Sequence, residues 1–437
     1  MKNLNIFILA AGKGTRMNSA LPKILHPIAG KAMVYRVIDQ ARKLKPKKIY
    51  LIINQDLKDK NIFSFSDVEL VVQKQQNGTA DAIKSCMPKI KELSGNALIL
   101  YADIPLIELS SLKKVIKNVT KRKMSLLTFI KNEKNSYGKV ILDQKGYVSS
   151  IIEQRELNNK GHHPICNSGV FSCDIDVLKN LISKINNKTN KKKEYYLTDI
   201  FNLAYKKNIE TESIIVDEDE FMGINNKREL AEAEYLAQSQ LREKFLMKGV
   251  TIIDPETVYF CEDTKIEKDV VIYPNVFIGR NVKIGKDSTI LPFSHLEDCL
   301  IGKKVTVGPF ARLRPGANIG DNAKVGNFVE IKKSKIDKNS KVNHLTYIGD
   351  AEVGKDVNIG AGTITCNYDG KNKYKTIIKD GAFIGSNSSL IAPVTIGKDS
   401  FIGSGSAISK NVNKKALGIE RNRQIEIRNW HRKMKKR

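Results

Sequence analysis

An aliphatic residue returns at every sixth position, with few interruptions, over the stretch from Ile266 to Ile408. Glycine follows the aliphatic residue in twelve of these hexads, for example after Ile278 and Ile402. A period of six fits neither an α-helix, which repeats near 3.6 residues, nor a half-buried strand, which repeats at about two. It is typical of a parallel β-helix, in which each hexad forms one flat side of a coil. The aliphatic side chain then points inward, and the glycine helps the chain to turn the corner.

The hydrophobic pattern of the first half predicts strands and helices in alternation, as in an α/β sheet. Strands are predicted over residues 4–9, 48–53 and 97–101, and helices over 33–45 and 80–93. Residues 226–247 have the pattern of one long helix, with an apolar stripe of Leu230, Ala233, Ala237, Leu241 and Phe245. We therefore predict an α/β domain over 1–225, a helical linker over 226–250, a β-helix over 251–421 and a basic tail over 422–437.

A glycine-rich turn follows the first predicted strand. Residues 10–17 read AAGKGTRM, and Lys23 comes shortly after. Backbone N–H groups of such a turn can approach a phosphate closely, and Lys13, Arg16 and Lys23 add positive charge. The P-loop pattern GxxxxGK[ST] is absent, and the dinucleotide pattern GxGxxG would need glycine at Met17. The turn therefore indicates a phosphate site of another kind.

Two further polar segments follow predicted strands. Gln73 to Ala80 precedes a helix, where side-chain amides and free N–H groups can bind a base edge. Asp103 and Pro105 follow the strand 97–101, at the edge where open α/β sheets place ligands. A carboxylate there suits Mg²⁺, which binds substrate phosphates and keeps most of its waters. A single aspartate can also be only a turn residue, but the Asp-x-Pro context after a strand favours a metal ligand.

The net charge of +27 makes nucleic acid a legitimate hypothesis. The excess lysine, however, is spread along the chain, with short clusters at Lys45–Lys48, Lys191–Lys193 and the Lys433–Arg437 tail. No aromatic-interleaved basic stripe, zinc finger or reader helix accompanies it. We therefore do not expect nucleic-acid binding as the main function. Anionic small substrates or a lysine-rich proteome explain the charge more simply.

Cysteine usage and hydropathy indicate a cytoplasmic protein without a membrane span. The six cysteines show no CxxC or metal-ligand spacing, as expected of reduced structural thiols. The apolar run Ile6–Ala11 is far too short to cross a membrane. No small-residue cleavage site follows it, so it is not interpreted as a signal peptide.

Polar stretches interrupt the hexads at 308–316 and 327–333, and again at 344–347, 358–362 and the insertion 365–376. Because breaking a solenoid's repeat costs packing, such interruptions suggest a site. His344 is the one histidine in these stretches. Imidazole is well matched to take a proton from an amine near pH 7. A lone histidine is as often surface or core filler, so its role depends on the motifs around it.

These motifs resemble one family over nearly the whole chain, from residue 1 to about 421. LAAGKGTRM followed by Pro22-Lys23 is similar to the signature of sugar-nucleotide pyrophosphorylases, and ADIP resembles their GDxP motif. RLRPG, NFVEIKK, HLTYIGDAEVG and NIGAGTITCNYDG match a hexapeptide-repeat acetyltransferase. Together they resemble the bacterial bifunctional family that joins N-acetylglucosamine-1-phosphate uridylyltransferase to glucosamine-1-phosphate N-acetyltransferase. This resemblance implies that the chain makes UDP-N-acetylglucosamine.

The resemblance implies an α/β nucleotidyltransferase (Rossmann-like) domain followed by a left-handed parallel β-helix of hexapeptide repeats. It implies Mg²⁺ on Asp103 and Asn225 and catalytic roles for Arg16 and Lys23. The implied residues for UTP and UDP-N-acetylglucosamine are Leu9, Ala10, Ala11, Gly12, Lys23, Gln73, Gly78, Thr79, Tyr101, Ala102, Asp103, Gly138, Glu153, Asn167 and Asn225. Of these, Gln73, Gly78 and Thr79 belong to the segment that binds uracil.

For the second domain, the resemblance implies that His344 is the general base and that Glu330 has an orienting role. Glucosamine-1-phosphate would bind Arg314, Lys332, Tyr347 and Asn358, and acetyl-CoA would bind Ala361, Asn367, Tyr368, Ser386, Ser404 and Arg421. No covalent acyl-enzyme is needed, although Cys366 lies near the site by motif. The family forms homotrimers with acetyl-transfer sites between subunits. The basic end, with Trp430, is either an arm over a neighbour's cofactor or a frayed tail.

Four residues depart from the family pattern. The family has glycine at Ala102, arginine at Lys139, threonine at Ser168 and, in its best-known members, alanine at Ser404. Two other protein classes compete with this identification. A pyrophosphorylase for another NDP-sugar would lack the HLTY and NYDG segments, which are present. A non-catalytic assembly protein of similar architecture is expected to lose the glycine loop or the metal carboxylate, and both are intact.

Overall fold

A computed structural model of the protein describes residues 3–133, 135–153, 156, 163–187 and 194–430. The chain divides into two compact units, Met1–Ala237 and Gln238–Arg437. The lysine cluster 191–193 and the tail 433–437 lie outside the described residues. Within the described ranges, no helix is both long enough and apolar enough to cross a membrane.

The first unit is built on a mixed β-sheet, as the alternating pattern predicts. The strands described for this sheet are β1 (Leu4–Leu9), β4 (Lys48–Asn54), β5 (Val68–Gln73), β6 (Asn96–Tyr101), β7 (Lys123–Ile130), β8 (Lys139–Leu142), β9 (Val148–Ile152), β10 (Ile165–Asp174) and β11 (Glu210–Ile215), and a separate small ribbon contains β2 (Pro27–Ile28) and β3 (Lys31–Ala32). The main order is β11-β7-β10-β6-β1-β4-β5. β1 is parallel to β4 and β6, whereas β10 is antiparallel to β6 and β7. The carboxyl ends of β1, β5 and β6 therefore meet at one edge.

Helices cover both faces of this sheet. The α-helices of this unit are α1 (Met33–Lys43), α2 (Gln55–Asp59), α3 (Thr79–Ser85), α4 (Met87–Ile90), α5 (Leu109–Lys117), α6 (Ile175–Ile182) and α7 (Asp199–Tyr205), and short 3₁₀ turns occupy Thr15–Met17, Lys23–Leu25 and Glu218–Phe221. Val37 of α1 and Leu112 of α5 are buried in one core cluster, and Ile83 of α3 and Leu178 of α6 in the other. The result is a three-layer α/β/α unit.

The sequence placed most of these elements correctly, but one predicted helix is interrupted. Residues 80–93 were expected to form a single helix, whereas the structure has α3 and α4 with Cys86 between them. Pro88 lies in the first turn of α4. Proline has no backbone N–H and clashes with the preceding turn, so it is tolerated at a helix start but not inside a continuous helix.

The second unit is a parallel β-helix with three sides. Strands of the first side are Thr251–Ile252, Val271–Ile272, Thr289–Ile290, Thr306–Val307, Lys324–Asn327, Lys341–His344, Asn358–Ile359, Phe383–Ile384, Phe401–Ile402 and Leu417–Gly418. Those of the second side are Tyr259–Phe260, Phe277–Ile278, His295–Leu296, Arg312–Leu313, Glu330–Lys332, Tyr347–Gly349, Ile364–Cys366, Ser389–Ile391 and Ala407–Ile408. Those of the third side are Lys265–Ile266, Lys283–Ile284, Cys299–Ile301, Ala317–Ile319, Lys335–Ile336, Ala351–Val353, Thr376–Ile378 and Val394–Ile396.

The hexad residues fill the inside of the coils. Ile272, Ile278 and Ile290 are fully buried, and each pairs with the hexad residue of the next coil. Since every coil contributes the same kind of inward side chain, the core continues along the whole array and is stabilised by each added coil.

Of the glycines that follow hexad residues, Gly308 has the positive φ (+101°) of the predicted turn-making role, whereas Gly285 has a different role. A Cβ built on Gly285 would lie 2.6 Å from the carbonyl oxygen of Gly302 in the next coil. Near Gly285, the positive backbone angles belong instead to other residues, Asn281 and Asp287. Glycine is therefore needed at Gly285 because adjacent coils approach too closely for a side chain, while asparagine and aspartate tolerate the left-handed turn.

The long helix α8 (Lys227–Leu246) agrees closely with the predicted 226–247. Its residues on the side of the second unit cover the start of the β-helix. The Gln238 amide donates to the Phe260 carbonyl oxygen (2.7 Å) and accepts from the Phe260 N–H (2.9 Å). Phe245 packs on Phe260 with ring centroids 4.8 Å apart. Tyr259–Phe260 is the first strand of the second side, and its outer backbone edge is thereby hydrogen-bonded rather than left open to another chain.

Candidate active sites

A cavity of about 810 Å³ opens at the carboxyl ends of β1, β5 and β6 in the first unit. Its lining includes eleven of the predicted nucleotide-site residues: Leu9, Ala11, Gly12, Arg16, Gln73, Gly78, Thr79, Tyr101, Asp103, Glu153 and Asn225. These residues come from the glycine loop, the polar segment, the Asp103 turn and the start of α8. The fold therefore brings together motifs that are widely separated in the sequence, at the edge where open α/β sheets bind ligands.

Lys23 links the two predicted metal ligands. Its ammonium Nζ donates to Asp103 Oδ2 at 2.5 Å and to Asn225 Oδ1 at 2.8 Å. Arg16 Nη2 donates to the same Asn225 oxygen at 3.0 Å. The Lys23 side chain is only 11% exposed, and Asp103 is 26% exposed. Partial burial strengthens this ion pair relative to a surface pair, so the position strongly favours positive charge.

The start of α8 fixes the Asn225 side chain. Asn226 Oδ1 accepts from the Glu229 N–H (2.9 Å), and a Glu229 carboxylate oxygen accepts from the Asn225 N–H (2.5 Å). This is close to a capping box, in which residues three apart satisfy free N–H groups of a helix start. Asn225 Nδ2 donates to the Gly223 carbonyl oxygen (3.1 Å), which directs Oδ1 toward Lys23.

These residues fit the predicted magnesium ion. One carboxylate oxygen of Asp103 and one amide oxygen of Asn225 already converge on a single cationic atom, Lys23 Nζ. Among the described residues, no group of three or more His, Cys, Asp or Glu side chains could hold a metal. A site with two protein oxygens suits Mg²⁺, which is usually bound by one or two protein ligands together with substrate phosphates and water.

The polar segment after β5 is shaped by Gly78. A Cβ on Gly78 would lie 2.5 Å from the Tyr195 carbonyl oxygen, and its φ of +116° is accessible to glycine alone in practice. Gln73 Nε2 donates to the Gly78 carbonyl oxygen (3.1 Å) and to Asp81 (2.8 Å). The Thr79 hydroxyl accepts from the Leu197 N–H (3.1 Å). This loop is therefore rigid before any base binds.

Acidic groups line another part of the cavity. Glu153 accepts a hydrogen bond from the Thr198 hydroxyl (3.0 Å). Burial, together with the negative charges of Glu156 and Glu153, raises the pKa of Asp199 to about 6. Burial, and then the charges of Asp103 and Glu153, raises the pKa of Tyr101 well above its usual value. The Tyr101 phenol therefore stays protonated and can act as a hydrogen-bond donor.

Five predicted residues do not line the cavity. They are Ala10, Lys23, Ala102, Gly138 and Asn167. Lys23 instead bonds the lining residues Asp103 and Asn225, as described above. Ala10 and Ala102 are buried, and their N–H groups bond to neighbouring strands. The Asn167 N–H donates to the Gly138 carbonyl oxygen (2.9 Å) in the strand framework beside the cavity.

In the second unit, four predicted residues stack at one corner between the first and second sides. They are His344, Ala361, Ser386 and Ser404, one in each successive coil. Backbone bonds set this spacing: Gly362 N–H to His344 O (3.2 Å), Asn387 N–H to Ala361 O (2.7 Å) and Gly405 N–H to Ser386 O (2.8 Å). We call this row the corner file. The proposed general base therefore lies in line with three of the predicted coenzyme residues.

The His344 imidazole is exposed, and its Nδ1 lies 2.6 Å from Asn327 Oδ1. Glu330, predicted to have an orienting role, bonds instead to Arg314 Nη1 at 2.7 Å. This hydrogen bond raises the pKa of Arg314. The structure thus places Glu330 where it orients a predicted phosphate-binding residue, and it places Asn327 beside the histidine.

Cations gather on the second side near Arg314. The contact with the Lys373 side chain and its positive charge hold the pKa of Lys332 below its usual value, and Arg314 adds to the effect. Glu330 already pairs with Arg314, but a further anion would relieve the repulsion between Lys332 and Lys373. This cluster therefore indicates a site for a phosphate group. Lys373 was not among the predicted residues.

The insertion that carries Lys373 is a small ordered hairpin. Asn367 Nδ2 donates to Asp350 Oδ2 (2.5 Å), the Tyr368 hydroxyl donates to the Gly370 carbonyl oxygen (2.6 Å), and Tyr368 pairs with Lys373. Asn367 is buried, whereas the Tyr368 ring is 59% exposed. Of these two predicted coenzyme residues, Asn367 holds the hairpin in place, and Tyr368 has a ring that is accessible to a ligand.

Comparison with known proteins gives a family match for each of the two units. Residues 6–168 match the model of the MobA-like NTP transferase domain, and residues 263–297, 298–333 and 375–410 match the bacterial transferase hexapeptide model. The bifunctional protein GlmU of Wolbachia pipientis wMel is 42% identical over 431 residues, which covers 98% of this chain and 99% of the relative. GlmU of Paramagnetospirillum magneticum is also 42% identical, with 98% and 95% covered, and GlmU of Zymomonas mobilis is 41% identical, with 100% and 98% covered.

The chain belongs to the GlmU family. This confirms the predicted family and the predicted fold class, a nucleotidyltransferase domain followed by a hexapeptide-repeat β-helix. It also confirms the predicted bifunctional enzyme, a nucleotidyltransferase of the UDP-N-acetylglucosamine pyrophosphorylase type joined to an N-acetyltransferase.

Three of the residues expected to depart from the family pattern, Lys139, Ser168 and Ser404, bond to other groups of the protein. Lys139 Nζ is buried beside Cys166 Sγ (3.1 Å) and donates to Asn135 (3.2 Å). The Ser168 hydroxyl is buried and donates to the Leu127 carbonyl oxygen (2.6 Å). The Ser404 carbonyl oxygen accepts from Arg421 Nη1 (3.0 Å), a contact that any residue at this position would make.

Several site residues had signals that the sequence reasoning did not use. Glu229 stands three positions after Asn226, the spacing of a capping box. Gln76 belongs to the recognised polar segment, and its amide donates to the Ala11 carbonyl oxygen (2.8 Å), which joins that segment to the glycine loop. Lys131 and Tyr137 also line the cavity. Tyr137 belongs to the Tyr137-Gly138-Lys139 motif, whereas no pattern in the sequence marks Lys131.

Proposed function

We propose that the two sites act in sequence on one sugar phosphate. The second unit transfers an acetyl group from acetyl-CoA to glucosamine-1-phosphate. The first unit then transfers a uridylyl group from UTP to N-acetylglucosamine-1-phosphate and releases pyrophosphate. The observation that carries this proposal is the convergence of motifs from distant parts of the chain at two chemically different sites, one around Lys23 and Asp103 and one around His344.

In acetyl transfer, the 2-amino group of glucosamine-1-phosphate attacks the thioester carbonyl of acetyl-CoA. His344 takes the proton that the amine loses, the new amide bond forms, and the carbon–sulfur bond breaks to release coenzyme A. The corner file of Ala361, Ser386 and Ser404 supports a coenzyme that runs along the coils toward His344. Holding both reactants at this corner can supply a large share of the barrier reduction.

No covalent acyl-enzyme is needed in this mechanism. Cys366 is the last residue of the second-side strand Ile364–Cys366. It lies at the end of this strand that is farther from the corner file, and it follows Ala361 in the same coil. The amine is itself a good nucleophile once His344 accepts its proton. Direct transfer therefore accounts for the reaction with the residues present.

In uridylyl transfer, an oxygen of the phosphate of N-acetylglucosamine-1-phosphate attacks the α-phosphorus of UTP, and pyrophosphate leaves. Arg16, Lys23 and the backbone N–H groups of the glycine loop stabilise the charge that develops on the phosphate oxygens. The rigid loop around Gln73, Gly78 and Thr79 would hold the uracil. Glu153, Asn167 and Gly138 would position the sugar.

Asp103 and Asn225 would hold Mg²⁺, and the bound ion would neutralise negative charge on the substrate phosphates. Their oxygens bond the Lys23 ammonium in this structure, and this lysine would add positive charge beside the substrate phosphates. Asp103 supplies the formal negative charge, and Asn225, fixed by the capping interaction, supplies a neutral oxygen. The other ligands would be phosphate oxygens and water.

We infer that the acetyl-transfer site is completed by another copy of the chain, in agreement with the expected homotrimer. Arg314, Lys332 and Tyr347 lie on the second side, whereas Asn358 lies on the first. Outer faces of two sides that meet at a corner point away from each other. A single small sugar phosphate reaches all four residues if the first side of one copy faces the second side of another.

We propose the cytoplasm as the compartment, because UTP and acetyl-CoA are cytoplasmic metabolites.

The experiment that tests the proposed function follows free thiol and pyrophosphate in one reaction containing the protein, glucosamine-1-phosphate, acetyl-CoA, UTP and Mg²⁺. We expect thiol release first and pyrophosphate release after it. Pyrophosphate formed only when N-acetylglucosamine-1-phosphate is added would mean that the β-helix serves assembly alone. Neither signal would favour a non-catalytic protein. Pyrophosphate formed with glucose-1-phosphate instead would indicate another NDP-sugar.

The Lys373 contact leads to a prediction about phosphate binding. We expect Lys373→Ala to raise KM for glucosamine-1-phosphate about tenfold, since it removes one of the cations that would surround the phosphate. KM for acetyl-CoA should change little. Steady-state kinetics of acetyl transfer measure both. Lys375→Ala is the matched control, because Lys375 lies in the same insertion but pairs with Glu352. Equal effects of both variants would indicate loss of the hairpin instead.

A further inference from the structure

The geometry points to Asn327 as the residue that positions the catalytic imidazole of His344. This inference rests on the proposed role of His344 as the general base. The distance from Asn327 Oδ1 to His344 Nδ1 is 2.6 Å, a short and therefore well-formed hydrogen bond. Within the described part of the chain, it is the one side-chain hydrogen bond of the His344 ring.

The fold holds the two residues in register. The strands 324–327 and 341–344 pair as far as the corner, with Asn327 opposite His344. These are the longest strands in the described β-helix, where most strands have two or three residues. The Leu345 N–H also donates to the Asn327 carbonyl oxygen (3.1 Å), so pairing continues past the histidine.

Gly326 permits this close pairing. A Cβ built on Gly326 would lie 1.9 Å from the Asn343 carbonyl oxygen in the next coil. No other residue type fits there without moving the coils apart. A wider separation would lengthen the Asn327–His344 contact, so the glycine and the asparagine act together on the position of the ring.

The bond determines which ring nitrogen is free. A carboxamide oxygen can only accept, so the proton of a neutral imidazole lies on Nδ1. Nε2 then carries the lone pair and is the nitrogen that can act as the base. In the other tautomer, Nε2 would carry a proton and could not accept one from the amine. Asn327 therefore selects the reactive form of the base.

An amide suits this role better than a carboxylate would. A negative charge beside the imidazole would stabilise its protonated form and reduce the fraction of free base near neutral pH. The charged groups on the neighbouring strands are Lys324 and Lys341 on the first side and Arg312, Glu330 and Lys332 on the second, with Arg314 directly after the strand that contains Arg312. None of them bonds the imidazole among the described residues, so the neutral Asn327 is the partner that sets its orientation.

The test compares Asn327→Ala and Asn327→Asp in acetyl transfer over a range of pH. We expect Asn327→Ala to lower kcat about tenfold or more, with KM for both substrates changed less than about twofold, because orientation and tautomer are lost but binding is kept. Asn327→Asp retains the acceptor. Its kcat should recover at high pH, while the acid limb of its pH profile moves upward by roughly one pH unit.

A purely structural role would not move the pH profile. Uridylyl transfer in the same preparations reports folding of the first unit, and Asn318→Ala, at an exposed asparagine on the third side of the β-helix, is the matched control for the second. A kcat for Asn327→Ala within twofold of the wild type would overturn the inference. So would an Asn327→Asp profile identical to the wild type, which decides the question even if the alanine variant does not fold.

The failure of this inference can be distinguished from failure of the proposed function. If His344→Ala retains acetyl transfer, His344 is not the base and the proposed mechanism fails first. If His344→Ala is inactive while both Asn327 variants behave like the wild type, the base stands and only the positioning role is wrong.

Discussion

His344→Ala is expected to lower the rate of acetyl transfer about 10³-fold while leaving uridylyl transfer unchanged. General base catalysis by a positioned side chain typically contributes about 10²–10⁴-fold, and alanine leaves no group in the corner file that accepts the amine proton. KM for acetyl-CoA should change little, because Ala361, Ser386 and Ser404 are untouched. The measurement is thiol release with glucosamine-1-phosphate, followed separately from pyrophosphate release with N-acetylglucosamine-1-phosphate.

His295→Ala is the matched control for this variant. His295 is also exposed on the β-helix, where its ring stacks on Phe277 at 4.8 Å, three coils before His344 in the array. It should retain both activities. Loss of both activities in His344→Ala would refute the division of labour between the two units. Loss of acetyl transfer in His295→Ala as well would mean that disturbance of the β-helix surface, not removal of a base, explains the result.

The architecture could be predicted because its physical causes repeat along the chain. Each hexad places one aliphatic residue inside a coil, so a single period specifies the whole β-helix core. Strand β1 and the turn after it could be predicted because a continuous apolar run and a glycine-rich segment are each visible within a few neighbouring residues. The break at Pro88 was missed because a helical hydrophobic pattern continues across the proline, although the backbone cannot follow it.

The partners of the predicted residues were harder to infer. Asn327 lies 17 residues before His344, a spacing set by one coil that contains a five-residue step. A regular period of six would have placed His344 against a neighbouring residue instead. Lys373 lies in an insertion that has no period, so no pattern brings it to Lys332. Glu330 lies opposite Arg312 in the register between coils but bonds the diagonal neighbour Arg314, so the period alone does not give this pair.

The nucleotide site shows the same division between local and long-range information. The glycine loop and the Asp103 turn each signal a phosphate or metal site alone. The bond that joins them, from Lys23 to Asp103, spans 80 residues and depends on the order of β1 and β6 in the sheet. Sequence motifs thus identify which residues act, while the sheet order determines which of them act together.

Asp103→Ala is expected to lower uridylyl transfer about 10²–10³-fold and to spare acetyl transfer. The variant loses the carboxylate predicted to bind Mg²⁺, and such charge-stabilising contacts are worth most in the transition state. Asp103→Asn separates charge from shape, because it keeps an oxygen and the side-chain volume. Since Asn225 already provides a neutral oxygen, a metal role predicts that Asp103→Asn is nearly as impaired as Asp103→Ala. Asp56→Ala, an exposed aspartate of α2, should be unaffected.

A second measurement distinguishes loss of the metal from misplacement of Lys23. The Lys23 ammonium is largely buried against Asp103, so removing the carboxylate also leaves this cation without its acidic partner. If Asp103 binds the metal, pyrophosphate release by Asp103→Ala should partly recover at high Mg²⁺ concentration, because mass action compensates for a weakened site. If it acts only through Lys23, added Mg²⁺ should have no effect, and Asp103→Ala combined with Lys23→Ala should be no slower than Lys23→Ala alone. Pyrophosphate release at the wild-type rate in Asp103→Ala would refute the metal assignment, because neither role for this carboxylate predicts it.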